Sequence, residues 1–317
     1  MTGGRYSLRA DSHQDGAVLE GALLGDGTEI PIRQGIPRFV PADNYADSFG
    51  YQWQYFAKTQ LDSAAQWNEQ SETRLYAETG WPRDLQGERI LEAGSGMGRF
   101  TEILVRTGAE VHTFDYSAAI NANRANVGER PNVSFAQADI YAPPYEKASF
   151  NKVICLGVIQ HCPDPEAAFR SLCRFLAPGG EIVIDVYRLS WKCVLFGKYY
   201  VRPFIRGLSN SELHDLVRAH VGRVYHLTGR VHNISDSFAR KLSTILAVAD
   251  YRGLYGLDAG TAREFSELDT FDMLAPTFDK PQTLTRVRRW LEAAGLEKIT
   301  VRPGYNGLEA RGSRPMG

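Results

Sequence analysis

Cysteine is scarce in this sequence of 317 residues. The four that are present, Cys155, Cys162, Cys173 and Cys193, include no Cys-x-x-Cys pair. This argues against a disulfide framework or a zinc site and indicates reduced, mostly buried thiols. A run of about 18 apolar residues is also missing, as is a basic-then-apolar signal pattern at the N-terminus. We therefore expect a cytoplasmic protein without bound metal.

An excess of charge of one sign is missing too, because the formal net charge is -1. That balance gives no general support for binding of nucleic acid. Hydrophobic residues make up 43% of the chain, which at this length can bury a sizeable core. The composition is that of an ordinary enzyme-like protein with one large domain and additions, or with two domains.

What the sequence does contain is a glycine-rich stretch at residues 89–100, between a short apolar strand and an amphipathic helix start. Gly94, Gly96 and Gly98 allow positive φ and a close approach of a ligand to the main chain. Free N–H groups at the start of the helix would face that ligand. A dinucleotide fingerprint would need Gly or Ala where the chain has Arg99, so a pyrophosphate site is disfavoured.

From residue 89 onward, strand and helix patterns alternate, which favours a parallel sheet with helices on both faces. The second strand ends at Asp115, 21 positions after Gly94. This is close to the spacing at which an acidic side chain accepts hydrogen bonds from ribose hydroxyls. An aspartate at a strand end is also an ordinary turn or cap residue. Because Asp115 is coupled to the glycine loop, we favour the ribose role.

The stretch Glu92-Ala-Gly94-Ser-Gly96-Met-Gly98 resembles the first motif of class I S-adenosylmethionine-dependent methyltransferases, an acidic residue followed by Gly-x-Gly-x-Gly. A histidine after the fourth strand and a Pro-Gly-Gly turn at 178–180 extend the resemblance over residues 89–187. It implies an α/β fold with a Rossmann-like, seven-stranded methyltransferase sheet, helices on both faces and a closing antiparallel hairpin. To this the sequence adds a helical cap insertion and a small N-terminal extension.

The resemblance implies S-adenosylmethionine as methyl donor, with S-adenosylhomocysteine as the product. In the family an aspartate and the aliphatic residue after it contact the adenine, and Asp139 and Ile140 match this pair. The cofactor-binding residues expected from the resemblance are Glu92, Gly94, Ser95, Gly96, Gly98, Asp115, Tyr116, Ser117, Asp139, Ile140, Leu156, Gly157 and Gln160, with Tyr51 and Gln52 from an N-terminal lid.

Residues 44–80 are rich in aromatic residues and glutamine, with a predicted helix that starts near Ser71. In similar methyltransferases a helical segment at this place covers the cofactor pocket. Lid residues would then be Tyr45, Tyr51, Gln52 and Trp53. An aromatic patch that packs against the sheet is an equal alternative.

His161 is the candidate general base, because a histidine suits an oxygen or nitrogen acceptor that must lose a proton. It follows the fourth strand at the carboxyl edge of the sheet, where ligands of such folds bind. The alternative is that it lines the cofactor pocket or caps a helix. His220, His226 and His232 recur every six residues, which matches neither a helix face nor a usual metal pattern.

Residues 1–43 resemble a zinc-ribbon-like segment that precedes many methyltransferase domains and ends in Gly-Ile-Pro-Arg-Phe, but the cysteine pairs are missing. We expect a degenerate ribbon without metal. Residues 44–187 would form the lid helices and the cofactor-binding core. A structureless loop of such length is improbable, so 188–280 should be a mainly helical cap over the strand ends. Residues 281–317 would supply the last helix and the closing hairpin.

The cap is basic, since residues 188–249 contain ten Lys or Arg against three Asp or Glu. One interpretation is attraction of an anionic acceptor, such as a nucleotide-linked or phosphorylated sugar. A second is peripheral contact with a membrane surface through Trp191, Phe196, Tyr199 and Tyr200. A third interpretation is a solvated face over a hydrophobic lid, and this is the one that we favour.

The expected function is methyl transfer from S-adenosylmethionine to a small-molecule acceptor, with O- or N-methylation favoured and a sugar or specialised metabolite as acceptor class. Candidates for the acceptor pocket are Asp269, Asp272, Tyr305 and Asn306. A nucleic-acid methyltransferase is the enzyme alternative, although the Asn/Asp-Pro-Pro-Tyr/Phe signature is missing after the fourth strand and no separate basic domain is present. The alternative from outside the enzymes is a non-catalytic module that binds S-adenosylmethionine or a lipid surface. The oligomeric state stays open.

Overall fold

A computed structural model of the chain describes residues 6–14, 17–25, 27–41, 44–64 and 70–316. Residues 1–5, 15, 16, 26, 42 and 43 of the expected N-terminal ribbon lie outside the described residues. Within the described ranges the chain forms a small N-terminal sheet and a large central sheet with helices around it.

Antiparallel pairing builds the small sheet, in which the strand order follows the chain. Its strands are β1 (Ser7–Gln14), β2 (Ala17–Gly25), β3 (Thr28–Arg33) and β4 (Ile36–Pro37). Gln34 and Gly35 both have positive φ, at 53° and 71°, as a two-residue type I′ hairpin requires. A bridge between Arg38 and Gln137 then connects this sheet to the large one.

Seven strands form the large sheet. They are β5 (Arg89–Ala93), β6 (Glu110–Asp115), β7 (Val133–Gln137), β8 (Phe150–Cys155), β9 (Leu176–Val186), β10 (Glu297–Gly304) and β11 (Gly307–Ser313). Their order is β10-β11-β9-β8-β5-β6-β7, with β5 to β9 parallel and the β10–β11 hairpin antiparallel on the β9 edge. The predicted Rossmann-like, seven-stranded α/β fold is thereby confirmed.

The order of strands reverses between β5 and β8, which are neighbours although β6 and β7 come between them in sequence. At such a switch point the loops after the two strands diverge to opposite faces and leave a crevice at the carboxyl edge. The glycine loop after β5 and His161 after β8 both lie at this crevice. Sheet topology therefore brings the two predicted parts of the site together.

Helices follow most strands and also fill the interval between β9 and β10. They are α1 (Asp47–Tyr55), α2 (Gln70–Thr79), α3 (Thr101–Leu104), α4 (Ala119–Val127), α5 (Pro165–Cys173), α6 (Lys198–Ile205), α7 (Asn210–His232), α8 (Asp236–Ile245), α9 (Ala259–Leu274) and α10 (Leu284–Ala293). Short 3₁₀ turns occupy Val105–Thr107, Ile159–His161 and Trp191–Leu195.

The two faces of the large sheet bury different sets of side chains, as the alternation along a strand demands. Leu91 of β5 belongs to the cluster that contains Phe169 of α5 and Trp290 of α10. Ile90, its neighbour in sequence, belongs instead to the cluster on the opposite face with Leu75 of α2. Both faces are thus covered, which is why these parallel strands are apolar at consecutive positions.

Helices α6, α7 and α9, together with the segment just after α8, have a hydrophobic core of their own, built around Val217, Val221 and Phe271. Tyr51 of α1 packs against this core, so the N-terminal segment and the inserted helices are in direct contact. The division of the chain at residues 188 and 280 remains a prediction, but the helical content of this interval is evident.

The predicted Pro-Gly-Gly turn before the fifth strand is wrong. Residues 178–180 lie inside β9, which starts at Leu176. The pairing of β9 with β8 shifts between Phe150 and Lys152, so the extra residues form a bulge. A Cβ on Gly180 would come within 2.9 Å of the carbonyl oxygen of Phe150, which explains the need for glycine inside this strand.

Candidate active site

The glycine loop is held in a conformation that favours glycine at three positions. Gly94, Gly96 and Gly98 have φ of 75°, 55° and 97°. A Cβ on Gly94 would lie 2.4 Å from the Val158 side chain, and one on Gly98 would lie 2.5 Å from Asn123. The first and third glycines are therefore required by protein neighbours as well as by φ.

Asp115, at the end of β6, is tied to this loop through its carboxylate. One oxygen accepts a hydrogen bond from the Gly96 N–H at 2.9 Å, and the other accepts from the N–H and hydroxyl of Ser117 at 2.8 and 2.7 Å. Burial raises the pKa of this carboxyl, and the hydrogen bonds from Ser117 and Gly96 oppose that shift. The carboxylate is therefore positioned at the loop before any ligand arrives.

Glu92 lies beneath the loop rather than at its surface. Its side chain is buried, and one oxygen accepts a hydrogen bond from the Thr101 hydroxyl at 2.6 Å. The other oxygen has no hydrogen-bond partner among the described residues. Burial raises the pKa of Glu92 to about 7, so this carboxyl is largely protonated below neutral pH.

A cavity of about 680 Å³ opens at the crevice and extends from the glycine loop to the inserted helices. Its size falls within the range of small-molecule sites. Predicted cofactor, lid and acceptor residues on its wall are Gly94, Ser95, Gly96, Asp115, Tyr116, Ile140, Leu156, Gly157, His161, Tyr45, Trp53, Asp269, Asp272, Tyr305 and Asn306. Predicted cofactor-binding residues and predicted acceptor-binding residues therefore line the same cavity.

Other predicted cofactor residues lie just outside this wall. They are Glu92, Gly98, Ser117, Asp139, Gln160, Tyr51 and Gln52. The Asp139 carboxylate accepts from the N–H of Tyr141 at 2.9 Å, and its neighbours Ala138 and Ile140 are the residues of this segment on the wall. Ser117 and Glu92 act on the loop from behind, as described above. The cofactor roles of these seven residues remain predictions.

The lid segment divides between two environments. Tyr45 lines the cavity and stacks on Tyr116 with ring centroids 4.8 Å apart, and Trp53 lies against Gly96. Tyr51 instead turns toward the inserted helices, where its hydroxyl is 3.2 Å from Nδ1 of His214. Tyr45 and Trp53 thus lie where lid residues are expected, whereas Tyr51 packs on the inserted helices and not on the sheet. The lid role of the segment remains a prediction.

His161 occupies the 3₁₀ turn after β8, buried between the rings of Phe49 and Tyr187. Its Nδ1 lies 3.0 Å from the carbonyl oxygen of Phe278, which can only accept, so Nδ1 carries the proton. Burial lowers the pKa of His161, which keeps the ring neutral at neutral pH. The neutral tautomer fixed in this way has a lone pair on Nε2, as a proton acceptor requires.

Asp272 links α1, β9 and α9 at the far wall of the cavity. Its two oxygens accept from the Gln52 amide and from the Tyr187 hydroxyl, each at 3.3 Å. Gln52 therefore acts from outside the cavity on a residue that lines it. Tyr187 connects this carboxylate to His161, because its ring packs edge-on against the imidazole with ring centroids 5.4 Å apart.

Lys198 is a lysine on the cavity wall that the sequence patterns did not single out. Its ammonium forms a buried ion pair with Asp279 at 2.6 Å and lies over the rings of Tyr187 and Tyr199. Because Asp279 neutralises this lysine, the wall near His161 has no uncompensated positive charge from it.

A second polar cluster lies on the wall near α2 and α9. Asp269 accepts hydrogen bonds from Tyr251 and from the Gln60 amide, and burial raises its pKa to about 6. The Arg99 guanidinium donates to Gln60 and Ser71, and burial lowers its pKa to about 10. Arg99, which made a dinucleotide fingerprint unfavourable in the sequence, is thus a partly buried residue beside the glycine loop.

Several residues of the cavity wall were not predicted from the sequence as site residues, among them Tyr187, Lys198, Tyr251 and Arg74. A signal existed for Tyr187, because it directly follows β9 at the carboxyl edge. Lys198 and Tyr251 reach the cavity through the fold of the inserted helices, and no local pattern indicates this. Arg74 was hidden within an ordinary amphipathic helix.

Two of the three recurring histidines of α7 have structural contacts, and the third, His226, is exposed. Nε2 of His220 lies 2.7 Å from the carbonyl oxygen of Leu246, and Nδ1 of His232 lies 2.9 Å from Asp236. In the ranges that the structure describes, no group of three or more His, Cys, Asp or Glu is arranged to hold a metal ion. Among the helices of the same ranges, none has the length and hydrophobicity needed to span a membrane.

Residues 91–184 match the family model described as a methyltransferase domain. Together with the strand order and the glycine loop, this match defines the class. The chain contains a class I S-adenosylmethionine-dependent methyltransferase domain, as predicted, and S-adenosylmethionine is the cofactor of that class.

Among curated relatives, the chain is similar to the ubiquinone biosynthesis O-methyltransferase of Alkalilimnicola ehrlichii, 33% identical over 35% of this chain and 47% of that protein. The enzyme of the same name from Psychrobacter arcticus is 28% identical over 39% of this chain and 51% of its own length. The chain therefore spans about half the length of these relatives. A solved structure of a putative S-adenosylmethionine-dependent methyltransferase from Methanococcus maripaludis is 15% identical, covers 87% of this chain and 96% of its own, and superposes with a TM-score of 0.46.

Proposed function

We propose that the protein transfers a methyl group from S-adenosylmethionine to a hydroxyl group of a small-molecule acceptor, with His161 as the general base. The observation that carries this proposal is the single cavity, whose wall includes both the Gly94–Gly96 loop with Asp115 and the neutral His161 ring. The sulfonium cofactor supplies the reactive methyl itself. The protein's task is to bind, align and exclude water.

On the cofactor side, Asp115 would accept hydrogen bonds from the ribose hydroxyls, while Ala138 and Ile140 provide an apolar surface for the adenine. The glycines let a ligand approach the main chain of the loop. Ser117 and the Gly96 N–H hold the Asp115 carboxylate in place. Tyr45 and Trp53, from the opposite side, would cover the bound molecule.

On the acceptor side, the Phe278 carbonyl fixes the His161 tautomer and leaves Nε2 able to accept a proton from a hydroxyl. Phe49 and Tyr187 limit how the imidazole can rotate. Aromatic side chains on the wall, among them Phe49 and Tyr187, suit an acceptor that has an apolar part beside its hydroxyl. The O-methyltransferase names of the curated relatives support oxygen over nitrogen as the methylated atom. A sugar or specialised metabolite remains the wider acceptor class that we expect.

The test begins by incubating the protein with S-adenosylmethionine and a metabolite extract, and with phenols, alcohols and amines as soluble probes. We expect a product heavier by one methylene unit, and S-adenosylhomocysteine, from a hydroxyl compound. His161→Asn keeps a donor for the Phe278 carbonyl but lacks a base, so turnover should fall by about 10²- to 10⁴-fold. Its affinity for S-adenosylmethionine should stay within about threefold of the wild-type value.

His226→Ala, an exposed histidine on α7, is the matched control and should retain full turnover. Because burial lowers the pKa of His161, wild-type turnover should fall only when the pH drops below about 6.5, the ordinary histidine value. Undiminished turnover of His161→Asn on the same acceptor would refute the base role. Methylation confined to amines would refute the choice of oxygen.

A further inference from the structure

Exposed apolar side chains are concentrated on the inserted helices. In the described residues, twelve of the seventeen large hydrophobic side chains that are exposed lie between Leu189 and Tyr255, a stretch of less than a third of the chain. Trp191 is 73% exposed, Phe204 88% and Ile234 87%. Scattered exposed apolar residues are normal in proteins, but a concentration of this kind marks an interaction surface.

Spacing places these side chains on the outer faces of their elements. Trp191 and Leu195, at the two ends of a 3₁₀ turn, are both exposed. Phe238 and Ile245 of α8 are seven residues apart and share one side of that helix. Cys193, which lies between Trp191 and Leu195, and Phe196 and Tyr199, which follow them, line the cavity instead. The same segments thus have an inner face toward the candidate active site and an outer face toward solvent.

The two segments form a continuous surface because they touch. The Gly197 N–H donates to the carbonyl oxygen of Thr244 at 3.2 Å, and a Cβ on Gly197 would lie 2.1 Å from the carbonyl oxygen of Ile245. Leu195 therefore lies near the exposed end of α8. We call the exposed apolar side chains of these two segments and of α6 the outer cap face: Trp191, Leu195, Phe204, Phe238 and Ile245.

Positive charge surrounds the outer cap face. Arg206 follows Phe204 by two residues, and Lys241 lies between Phe238 and Ile245 on the same side of α8; both are exposed. Arg223 and Arg230 of α7 are exposed as well, whereas the exposed Arg188 lines the cavity on the inner side of the cap. Of the three acidic residues in 188–249, Glu212 caps α7 and Asp236 pairs with His232. The surface is therefore apolar at its centre and basic at its margin.

We infer that the outer cap face docks on the surface of an anionic lipid bilayer. Tryptophan and phenylalanine enter the boundary between headgroups and acyl chains, while the flanking arginine and lysine side chains meet anionic headgroups. This function is separate from methyl transfer, but it places the inner face of the same segments, and so the cavity, directly above the lipid. A lipid-soluble acceptor would reach the cavity from that side.

A second copy of the chain is a poorer occupant of this face. A symmetric dimer would bring the same residues of both copies together, so Arg206 and Lys241 would approach their own counterparts. Such like-charge contacts oppose association, whereas an anionic bilayer complements every one of these charges. Charge complementarity thus favours an anionic membrane over a second copy of the chain as the partner of this face.

Vesicle flotation tests the inference, with phosphatidylcholine vesicles that contain or lack phosphatidylglycerol. Wild-type protein should float only with the anionic vesicles and be released by high salt. Trp191→Ser/Phe204→Ser should lower the bound fraction at least about tenfold, because both side chains lose their apolar burial. Arg206→Glu/Lys241→Glu should lower it at least about fivefold.

Leu8→Ser/Met316→Ser removes two exposed apolar side chains outside the cap and serves as the matched control, with unchanged flotation expected. Calorimetry with S-adenosylmethionine on every variant verifies that the fold and the proposed function are intact, independently of lipid binding. The inference is overturned by failure of the wild type to float, by equal flotation of the wild type and both cap variants, or by a wild-type dimer that Trp191→Ser/Phe204→Ser dissociates in light scattering.

Discussion

At the scale of single residues, burial sets the charge states around the glycine loop. Glu92 is a carboxyl whose pKa is raised to about 7, and His161 is an imidazole whose pKa is lowered. Both shifts favour the neutral form because an apolar surrounding penalises the charged one. The candidate site therefore has a neutral histidine on one side of the cavity and a readily protonated acid below its floor.

Replacement of Glu92 by glutamine should change how stability depends on pH. Between about pH 4.5 and about pH 7 the unfolded chain ionises Glu92 while the folded chain keeps it protonated, so wild-type stability declines as the pH rises. Glu92→Gln lacks this decline. Relative to wild type, its free energy of unfolding should rise by up to about 3 kcal/mol from pH 5 to pH 8.

Urea unfolding of the cofactor-free protein across this pH range measures the effect. Glu292→Gln, an exposed carboxylate on α10, is the control and should parallel the wild type at every pH. A difference between Glu92→Gln and wild type that stays constant from pH 5 to pH 8 would show that Glu92 ionises normally in the folded protein.

Individual residues also show which site features a sequence reveals. Gly94, Asp115 and His161 were found because each occupies a fixed place relative to a strand end, and the carboxyl edge of a parallel sheet collects such places. Lys198 carries no such signal. Its position depends on an ion pair with Asp279, a residue far away in sequence.

At the scale of elements, ion pairs of one arginine connect α2 to the sheet. Arg74 donates to Glu78 within the helix at 2.6 Å and to Asp185 of β9, and both carboxylates are buried. Asp185 also accepts from the Gly157 N–H at the loop after β8. One ion-pair cluster thus positions a helix, a strand and part of the cavity wall.

Arg74→Ala should destabilise the protein by about 3–5 kcal/mol, because Asp185 and Glu78 would stay buried without their cation. Arg83→Ala, which removes an exposed arginine that pairs with Glu72, should cost less than about 0.5 kcal/mol. Chemical denaturation of both variants at neutral pH makes the comparison. Similar losses in the two variants would mean that the buried cluster adds nothing beyond a surface ion pair.

The predicted helix that starts near Ser71 is α2, which begins at Gln70. A local cap decides where α5 begins. The Asp164 side chain accepts from the N–H groups of Glu166 and Ala167 and starts α5, as its sequence suggests. The Pro-Gly-Gly segment was misjudged because it lies at a register shift inside β9, where Gly180 packs against the Phe150 carbonyl of β8 and Gly179 has a positive φ of 75°. Sequence pattern alone does not distinguish a glycine bulge from a glycine turn.

At the scale of the whole molecule, the alternation of strands and helices was sufficient to predict the central sheet, because parallel strands buried on both faces have a strong signature. How the inserted helices close over the carboxyl edge was not predictable in the same way. That arrangement rests on contacts between distant segments, such as Tyr51 with His214 and Gly197 with Ile245. The acceptor side of the cavity depends on those contacts.

The central claim is that the cavity binds S-adenosylmethionine with its ribose on Asp115, and isothermal titration calorimetry tests it most directly. Wild-type protein should bind the cofactor at one site per chain, and Glu292→Ala should bind equally well. Asp115→Ala should bind at least about a hundredfold more weakly, since two hydrogen bonds to a charged group are lost. No binding by the wild type, or full affinity in Asp115→Ala with an intact circular dichroism spectrum, would contradict the account.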